Sequence, residues 1–226
     1  MSRTTSEELF ERFCWQRQIQ FRRIPEADTR TPDYELECGG VGIVVEVKEV
    51  TPNDEERESE RLALERGVGT VVSHTPGDRV RQKIRNCSGQ IKACTRGVLP
   101  SMLVVFDRGR VAGHVDPYNI RVAMYGLEQV YIAVPPIGAG SPYAAGMGYG
   151  PKRQMTPEHN TSISAIGALV MTGPDDILLY VYHNKFAQVP LSPRLLAPYG
   201  IEQFKLAEDA PGTVAGWELL KVDEEP

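Results

Sequence analysis

An alternation of apolar and charged residues from Ile43 to Lys48 predicts a β-strand whose two faces differ in character. Successive side chains of a strand point to opposite sides of a sheet, so every second residue shares a face. Three apolar side chains therefore take one face, while Glu46 and Lys48 share the other. An acid and a cation two positions apart on one strand are separated by about 7 Å. The pattern thus predicts an ion pair on one side of a sheet.

A second acid is predicted to lie beside this pair. Asp33 follows a proline and begins a strand-like run that ends at Cys38, and Gly39-Gly40 then gives a hairpin turn into a strand from Val41 to Val50. Two strands joined in this way would bring Asp33 close to Glu46. Two carboxylates with an ammonium beside them can hold a divalent cation against a phosphodiester. The alternative is an ordinary solvated sheet face, on which Glu and Lys two positions apart are also common.

Two other features favour a functional site. Lys48 lies in a strongly apolar run, where a half-buried ammonium needs an anionic partner. A long helix is predicted from Asp78 to Arg96, because apolar residues recur there at a spacing of three or four. Lys83 and Gln90 flank this apolar stripe on one side and are expected to face the two acids.

The remaining elements predict an α/β chain with a β-rich second half. A capped helix is expected from Ser6, and the highly charged segment 51–66 is expected to hold a short, exposed helix. The glycine-rich segment 138–150 is interpreted as a surface loop. Further strands are predicted at these positions: 19–24, 103–107, 130–134, 163–171 and 177–183.

Composition limits the classes of protein that need to be considered. The chain has 226 residues, of which 41% are hydrophobic and 24% charged, as in ordinary globular proteins. It has no apolar run of eighteen residues and a polar amino terminus, so we expect neither a membrane span nor a secretory signal. The four cysteines lack zinc-site spacing, which favours reduced thiols and a cytoplasmic location. The net charge is −5, but residues 78–110 hold eight Arg or Lys against two Asp, which permits local contact with phosphates.

The order helix, three strands, helix, strand, with Pro32-Asp33 opening one strand and Glu46-Val47-Lys48 inside the next, resembles the PD-(D/E)xK nuclease superfamily. The resemblance covers roughly residues 6–107. It implies a restriction-endonuclease-like α/β fold, that is, a mixed β-sheet core flanked by helices. We therefore expect a nuclease-like core over 1–111 and a β-rich extension of the same domain over 112–226, whose role the resemblance does not give. An autonomous second domain from about residue 112 is the alternative.

The resemblance also implies roles for individual residues. Asp33 and Glu46 correspond to the metal-binding acids, with Mg²⁺ or Mn²⁺ as the cofactor, and Lys48 corresponds to the lysine that orients or activates the attacking water. Gln90 matches a residue that the second helix often places near the active site. Members of the superfamily often add an acid from the first helix. Glu7, Glu8 and Glu11 compete for that role here, and Glu11 is our choice.

These residues predict a metal-dependent nuclease, a hydrolase that cleaves phosphodiester bonds, with DNA favoured as the partner. We expect an endonuclease of the cytoplasm without a membrane partner, and a homodimer is one option for its oligomeric state. One alternative is a non-catalytic nucleic-acid-binding or assembly module of the same fold. Another is an enzyme of a different class with its site in residues 130–185.

Overall fold

The computed structural model of the protein describes residues 3–25, 30–68, 75–109, 113–208 and 214–221. Its helices are α1 (Thr5–Gln16), α2 (Asp54–Arg66), α3 (Asp78–Thr95), α4 (Pro117–Tyr125) and α5 (Pro193–Leu196), the last followed by a 3₁₀ turn at Ala197–Tyr199. The first five strands are β1 (Gln20–Arg23), β2 (Tyr34–Cys38), β3 (Val41–Val50), β4 (Ser101–Asp107) and β5 (Glu128–Ala133). The other five are β6 (Tyr143–Tyr149), β7 (Ala165–Met171), β8 (Ile177–His183), β9 (Glu202–Leu206) and β10 (Trp217–Leu219).

Eight of the strands form one mixed sheet in the order β1-β2-β3-β4-β7-β8-β9-β10, and β5 and β6 form a separate two-stranded ribbon. The pairs β3–β4, β4–β7 and β8–β9 are parallel, while the other neighbours are antiparallel. Helices lie on both faces of the sheet. The mixed α/β class predicted from the sequence is therefore confirmed.

The β2–β3 hairpin has the turn and register that the sequence predicts. Gly39 and Gly40 both take a positive φ, at 56° and 76°, which residues with a Cβ rarely adopt. Such a two-residue turn matches the twist of the strands that it joins. The resulting register pairs Tyr34 with Val45. Asp33, one residue before Tyr34, is thereby brought to the level of Glu46.

The sheet separates two apolar layers. On one face α1 packs on side chains that include Tyr34, Val45 and Val47. On the other face α3 and α4 pack on side chains that include Leu103 and Val105. Because neighbouring residues of β3 alternate between these layers, the side of the sheet that holds Glu46 and Lys48 is the side covered by α3.

Helix α2 is longer and better anchored than the short exposed helix expected in segment 51–66. Asn53 and Glu56 form a reciprocal capping box at its amino end. Glu56 is only 4% exposed, and both of its oxygens accept hydrogen bonds from Arg79 of α3, at 3.0 and 2.9 Å. Helix α2 is therefore tied to α3 by an ion pair whose carboxylate is buried.

The second half of the chain differs from the sequence-based expectation in two places. The glycine-rich segment 138–150 is not all loop, since residues 143–149 form β6. Helix α4 was not predicted at all. Strands β7 to β10 extend the same sheet as β1 to β4. The expected division between residues 111 and 112 lies in 110–112, outside the described residues, so it stays a prediction.

Within the described part of the chain, the helices lack the combination of length and apolar character that crossing a membrane requires.

Substitutions at two glycines, one before α3 and one within it, test the contact between α3 and α4. Gly77, just before α3, has φ +72°, and an added Cβ would lie 2.7 Å from the Asn119 carbonyl oxygen of α4. We expect Gly77→Ala to lower the free energy of unfolding by at least about 2 kcal/mol, because the left-handed backbone and the clash both oppose it. Gly89→Ala, inside α3 with open space around it, should raise stability by about 1 kcal/mol. Urea denaturation measures both, and equal effects at the two glycines would contradict this account of the α3–α4 contact.

Candidate active site

Asp33, Glu46 and Lys48 meet on the α3 side of the sheet. The backbone amide of Val47 donates to Asp33 Oδ2 at 2.8 Å, which fixes the carboxylate of Asp33 against β3. Lys48 Nζ lies 3.9 Å from the same oxygen and in direct contact with Glu46 Oε1. The hairpin register, the backbone hydrogen bond and the ion pair thus bring together the three groups singled out in the sequence.

The three side chains differ in depth. The side chain of Glu46 is 0% exposed, that of Asp33 is 19% exposed and that of Lys48 is 33% exposed. Apart from the ion pair with Lys48, neither oxygen of Glu46 accepts a well-formed hydrogen bond from the described residues. A buried carboxylate normally has such partners, so Glu46 retains capacity for a further ligand.

Burial and the charge of Asp33 raise the pKa of Glu46 to about 7, although Lys48 and the nearby amide of Gln90 oppose this shift. Burial also raises the pKa of Asp33, where the opposing influences are the charge of Lys48 and the hydrogen bond from Val47. The effect of Asp33 on the pKa of Glu46 reflects the repulsion between the two carboxylates when both are ionised. A cation placed between them would relieve that repulsion.

Lys48 behaves as a cation in this arrangement. Burial alone lowers the pKa of its ammonium, but the contact with Glu46 and the charge of Asp33 outweigh burial and raise that pKa above its ordinary value. The side chain is therefore protonated at neutral pH. It can attract an anion or donate a hydrogen bond to one.

Helix α3 forms the wall opposite β3. Gln90 approaches Glu46 closely enough to lower the pKa of that carboxyl, as expected for a residue facing the site. The buried thiol of Cys87 lies one turn away, and burial together with the charge of Glu46 raises its pKa to about 12, so it stays protonated. Cys87 belongs to the apolar stripe of α3, and the periodicity of that stripe does not indicate that this thiol lies within the electrostatic influence of the acids.

Lys83 adds a second cation near the site. Burial and the charges of Lys48 and Arg79 lower the pKa of the Lys83 ammonium. Among the described residues it makes no salt bridge, in contrast to Lys48. The charge of Glu49 only partly offsets these effects, and a half-buried cation outside any salt bridge of the described residues is suited to receive an anion from outside the protein.

Glu11 is not brought to the other site residues. It lies on the α1 side of the sheet, where the Tyr34 hydroxyl donates to Glu11 Oε1 at 2.9 Å and Arg3 lies 3.1 Å from Oε2. Both oxygens are therefore engaged in structural contacts. Glu7 of the same helix is the acid whose charge contributes to the raised pKa of Asp33. The helical pattern left Glu7 open as an alternative and could not rank it above Glu11.

Asp33 and Glu46 are the carboxylates at the site that could bind a metal ion. Over the described ranges of the chain, no three His, Cys, Asp or Glu side chains are grouped so that protein alone could hold a metal. Mg²⁺ and Mn²⁺ do not need such a group, since Mg²⁺ commonly uses one or two carboxylates and completes its shell with water and substrate phosphate. Asp33 and the unsatisfied oxygens of Glu46 fit that second mode.

Glu56 and two of the histidines, His114 and His183, have structural partners. Glu56, which lies in the acid-rich start of α2, is paired with Arg79 and lies 3.3 Å from His114 Nε2. His183 is joined to Gln203 at 3.0 Å, and burial lowers its pKa. These contacts account for the buried charges without a ligand.

Searches for similar proteins found no match to this chain among protein-family models, curated proteins or solved structures. The class that the structure itself defines is a mixed α/β protein with two carboxylates and a lysine gathered on one face of its sheet.

The raised pKa of Glu46 predicts a pH-dependent cost to stability. An acid whose pKa is higher in the folded chain than its ordinary value of 4.5 favours folding while protonated, and that contribution is lost as the pH rises towards about 7. We expect the free energy of unfolding of Glu46→Gln, measured by urea denaturation without metal, to rise relative to that of the wild type as the pH increases. The change in this difference from about pH 5 to about pH 8 should be on the order of 1 to 3 kcal/mol. The range is wide because Lys48 loses its partner in the variant.

Glu218→Gln provides the control, since Glu218 is 54% exposed in a surface ion pair and should show little pH-dependent difference. A stability difference between Glu46→Gln and the wild type that does not change with pH would mean that the pKa of Glu46 is not raised in the folded chain.

Proposed function

We propose that this chain is a metal-dependent nuclease of the PD-(D/E)xK type with a restriction-endonuclease-like fold. The observation that carries the proposal is the convergence of Asp33, Glu46 and Lys48 on one face of the sheet, with Lys48 in contact with one carboxylate and 3.9 Å from the other. The mixed sheet with α1 on one face and α3 on the other supports it, because this layering fits the order of elements on which the resemblance rests.

Asp33 and Glu46 would hold the metal. Bound there, Mg²⁺ or Mn²⁺ would lower the pKa of a water molecule and neutralise charge on the phosphate under attack. Glu46 suits this role because its oxygens are buried and lack well-formed hydrogen bonds from the described residues. Asp33 suits it because Val47 fixes its orientation.

Lys48 would act through its charge. Its raised pKa keeps the ammonium protonated, so it holds the attacking water or a phosphate oxygen by a hydrogen bond and does not remove a proton as a base. The side chain is one-third exposed, which leaves its ammonium accessible from solvent. Lys83, on the facing helix, would offer a second contact to the phosphate backbone.

The substrate that we propose is a nucleic acid, with DNA favoured by the resemblance. A phosphodiester supplies the anionic oxygens that complete a metal shell anchored by only two carboxylates. Gln90, whose amide approaches Glu46, would help to orient that carboxylate.

A non-catalytic nucleic-acid-binding or assembly module of the same fold is the second candidate. Two observations favour this candidate over a nuclease: the net charge of −5, and the lack of three grouped metal-ligating side chains among the described residues. The two candidates differ in whether a divalent cation binds at the acid pair, which a direct measurement can decide.

Cleavage assays test the catalytic assignment. We expect Asp33→Asn and Lys48→Met to lower Mg²⁺-dependent cleavage of a panel of DNA and RNA substrates by at least about a hundredfold, the usual loss when an electrostatic contact to a transition state is removed. Circular dichroism spectra should match that of the wild type. Asp175→Asn, in the turn between β7 and β8, and Lys205→Met, in an exposed ion pair on β9, are the matched controls and should retain activity.

Full activity in both site variants would exclude these residues from catalysis. An inactive wild type that still binds DNA would favour the non-catalytic module.

Metal titration tests the site without relying on activity. At about pH 8, saturating Mn²⁺ or Mg²⁺ should raise the melting temperature of the wild type, since a ligand at a hundred times its dissociation constant adds about 2.7 kcal/mol. Asp33→Asn and Glu46→Gln should lose most of this shift, whereas Asp175→Asn should keep it. An equal shift in all variants would place the metal elsewhere and would remove the reason for assigning it to Asp33 and Glu46.

A further inference from the structure

The β5–β6 ribbon stands apart from the sheet. The two strands pair with each other along Glu128 to Ala133 and with none of the eight sheet strands. Its base is anchored, because Arg121 of α4 bonds to Glu128 and the Tyr149 hydroxyl donates to the Ala215 carbonyl at 2.8 Å. Beyond this base the ribbon has no comparable anchor among the described residues. A two-stranded hairpin without a covering layer is only marginally stable in water.

Large apolar side chains are exposed along the ribbon and its connecting loop. Their exposed fractions run from 39% to 108%, as follows: Val130 52%, Tyr131 51%, Ile132 58%, Val134 74%, Ile137 108%, Tyr143 61% and Met147 39%. A large side chain carries about 150 to 250 Å² of surface, so together these seven expose on the order of 700 Å². Val130, Ile132 and Met147 share one face of the ribbon, whereas Tyr131 and Tyr143 share the other, so this area extends over both faces. Exposed apolar patches on monomers are typically about 300 to 600 Å², so the total is large enough to indicate a protein interface that engages both faces.

Beyond Glu128 at its base, which is paired with Arg121, the ribbon carries no charge. Residues 129–151 contain no Asp, Glu, Lys, Arg or His. Strand edges of monomeric proteins are usually protected by charges, prolines or bulges, and here Pro135 and Pro142 lie outside the strands, leaving one irregularity at Tyr131/Ile132. The open edges of β5 and β6 can therefore accept another strand.

We infer that the β5–β6 ribbon is the dimerisation surface of this protein, and that its partner is the same ribbon of a second copy, packed across a two-fold axis. Summed over both faces of the ribbon and its connecting loop, the exposed apolar area is close to the about 800 Å² that each partner contributes to a stable interface. In a two-fold interface identical surfaces meet, so a charged group close to the axis lies near its own copy. An uncharged ribbon lets two chains of net charge −5 associate without placing like charges in contact.

A nucleic acid is a poorer occupant of this surface. Binding to phosphates depends on Lys and Arg, and none lies between residues 129 and 151. Tyrosines could stack on bases, but the apolar aliphatic side chains that make up most of the exposed set contribute nothing to phosphate binding. The inference is independent of the proposed nuclease activity, because none of the ribbon residues lies at the Asp33–Glu46–Lys48 site.

Sedimentation velocity over a dilution series of the purified full chain tests the inference. The wild type should have twice the mass of one chain and dissociate on dilution. The double variant Val130→Glu/Val134→Glu should weaken dimerisation at least about a hundredfold or abolish it, because the interface would bury four carboxylates without partners. Ile137→Glu, at the fully exposed tip, should weaken it without any change inside a strand.

The double variant Val68→Glu/Val98→Glu is the control, since these valines are 58% and 71% exposed outside the ribbon, compared with 52% and 74% at Val130 and Val134. It should form dimers like the wild type. A wild type that is monomeric at every concentration, or ribbon variants that dimerise as well as the control, would overturn the inference. So would ribbon variants with lowered affinity for DNA and unchanged mass, since they would make the ribbon a nucleic-acid surface.

Discussion

The buried carboxylate of Glu46 is the group on which the functional part of this structure depends. It lies on a strand in the interior of the sheet, fully excluded from solvent, and its only strong partner among the described residues is the ammonium of Lys48. A folded chain could lower its energy by replacing such a group with an apolar one, because an ion pair in the interior seldom repays the loss of hydration. Asp33 increases the strain by adding a second negative charge. A site built at the expense of stability in this way is typical of a group that completes its interactions with a ligand.

The position of β3 explains how this strain is tolerated. The strand pairs with β2 over Val41–Val45 and with β4 over Val44–Val50, so each of its residues is held by at least one neighbouring strand. On its α1-facing side, Ile43, Val45 and Val47 anchor the strand in one layer of the core, and Glu49 near the strand end accepts a hydrogen bond from the Ser6 backbone amide of α1 at 3.2 Å. The α3-facing side carries Glu46 and Lys48. The period-two pattern therefore has two consequences: apolar side chains on one face stabilise the strand, and Glu46 and Lys48 on the other face contribute to the candidate site.

Much of this arrangement could be predicted from local sequence signals. The Gly39-Gly40 turn fixed the register, and the register placed Asp33 next to Glu46, so the convergence followed from a hairpin of known geometry. Helix α4 could not be recognised from periodicity, because most of its residues after Tyr118 are buried and no polar stripe marks a solvent face, although Asp116-Pro117 is a helix start signal. The choice among the acids of α1 also lay beyond the sequence, since it depends on the angle at which α1 crosses the sheet.

Helix α3 is the element that covers the charged face of β3, and its placement depends on contacts far from the acids. At its amino end Arg79 is held by the buried Glu56 of α2, and Gly77 donates its backbone N–H to Asn119 of α4 at 2.6 Å. Burial raises the pKa of Glu56, but the hydrogen bonds from Asn53 and Arg79 outweigh it, so this pair remains ionised and rigid. With the amino end fixed and the apolar stripe packed on β3 and β4, the same helix brings Lys83 and Gln90 towards the acids. The position of Lys83 and Gln90 at the site is therefore set by packing and by a remote ion pair. The helix periodicity indicates which face of α3 they occupy, but their distance from the acids depends on these tertiary contacts.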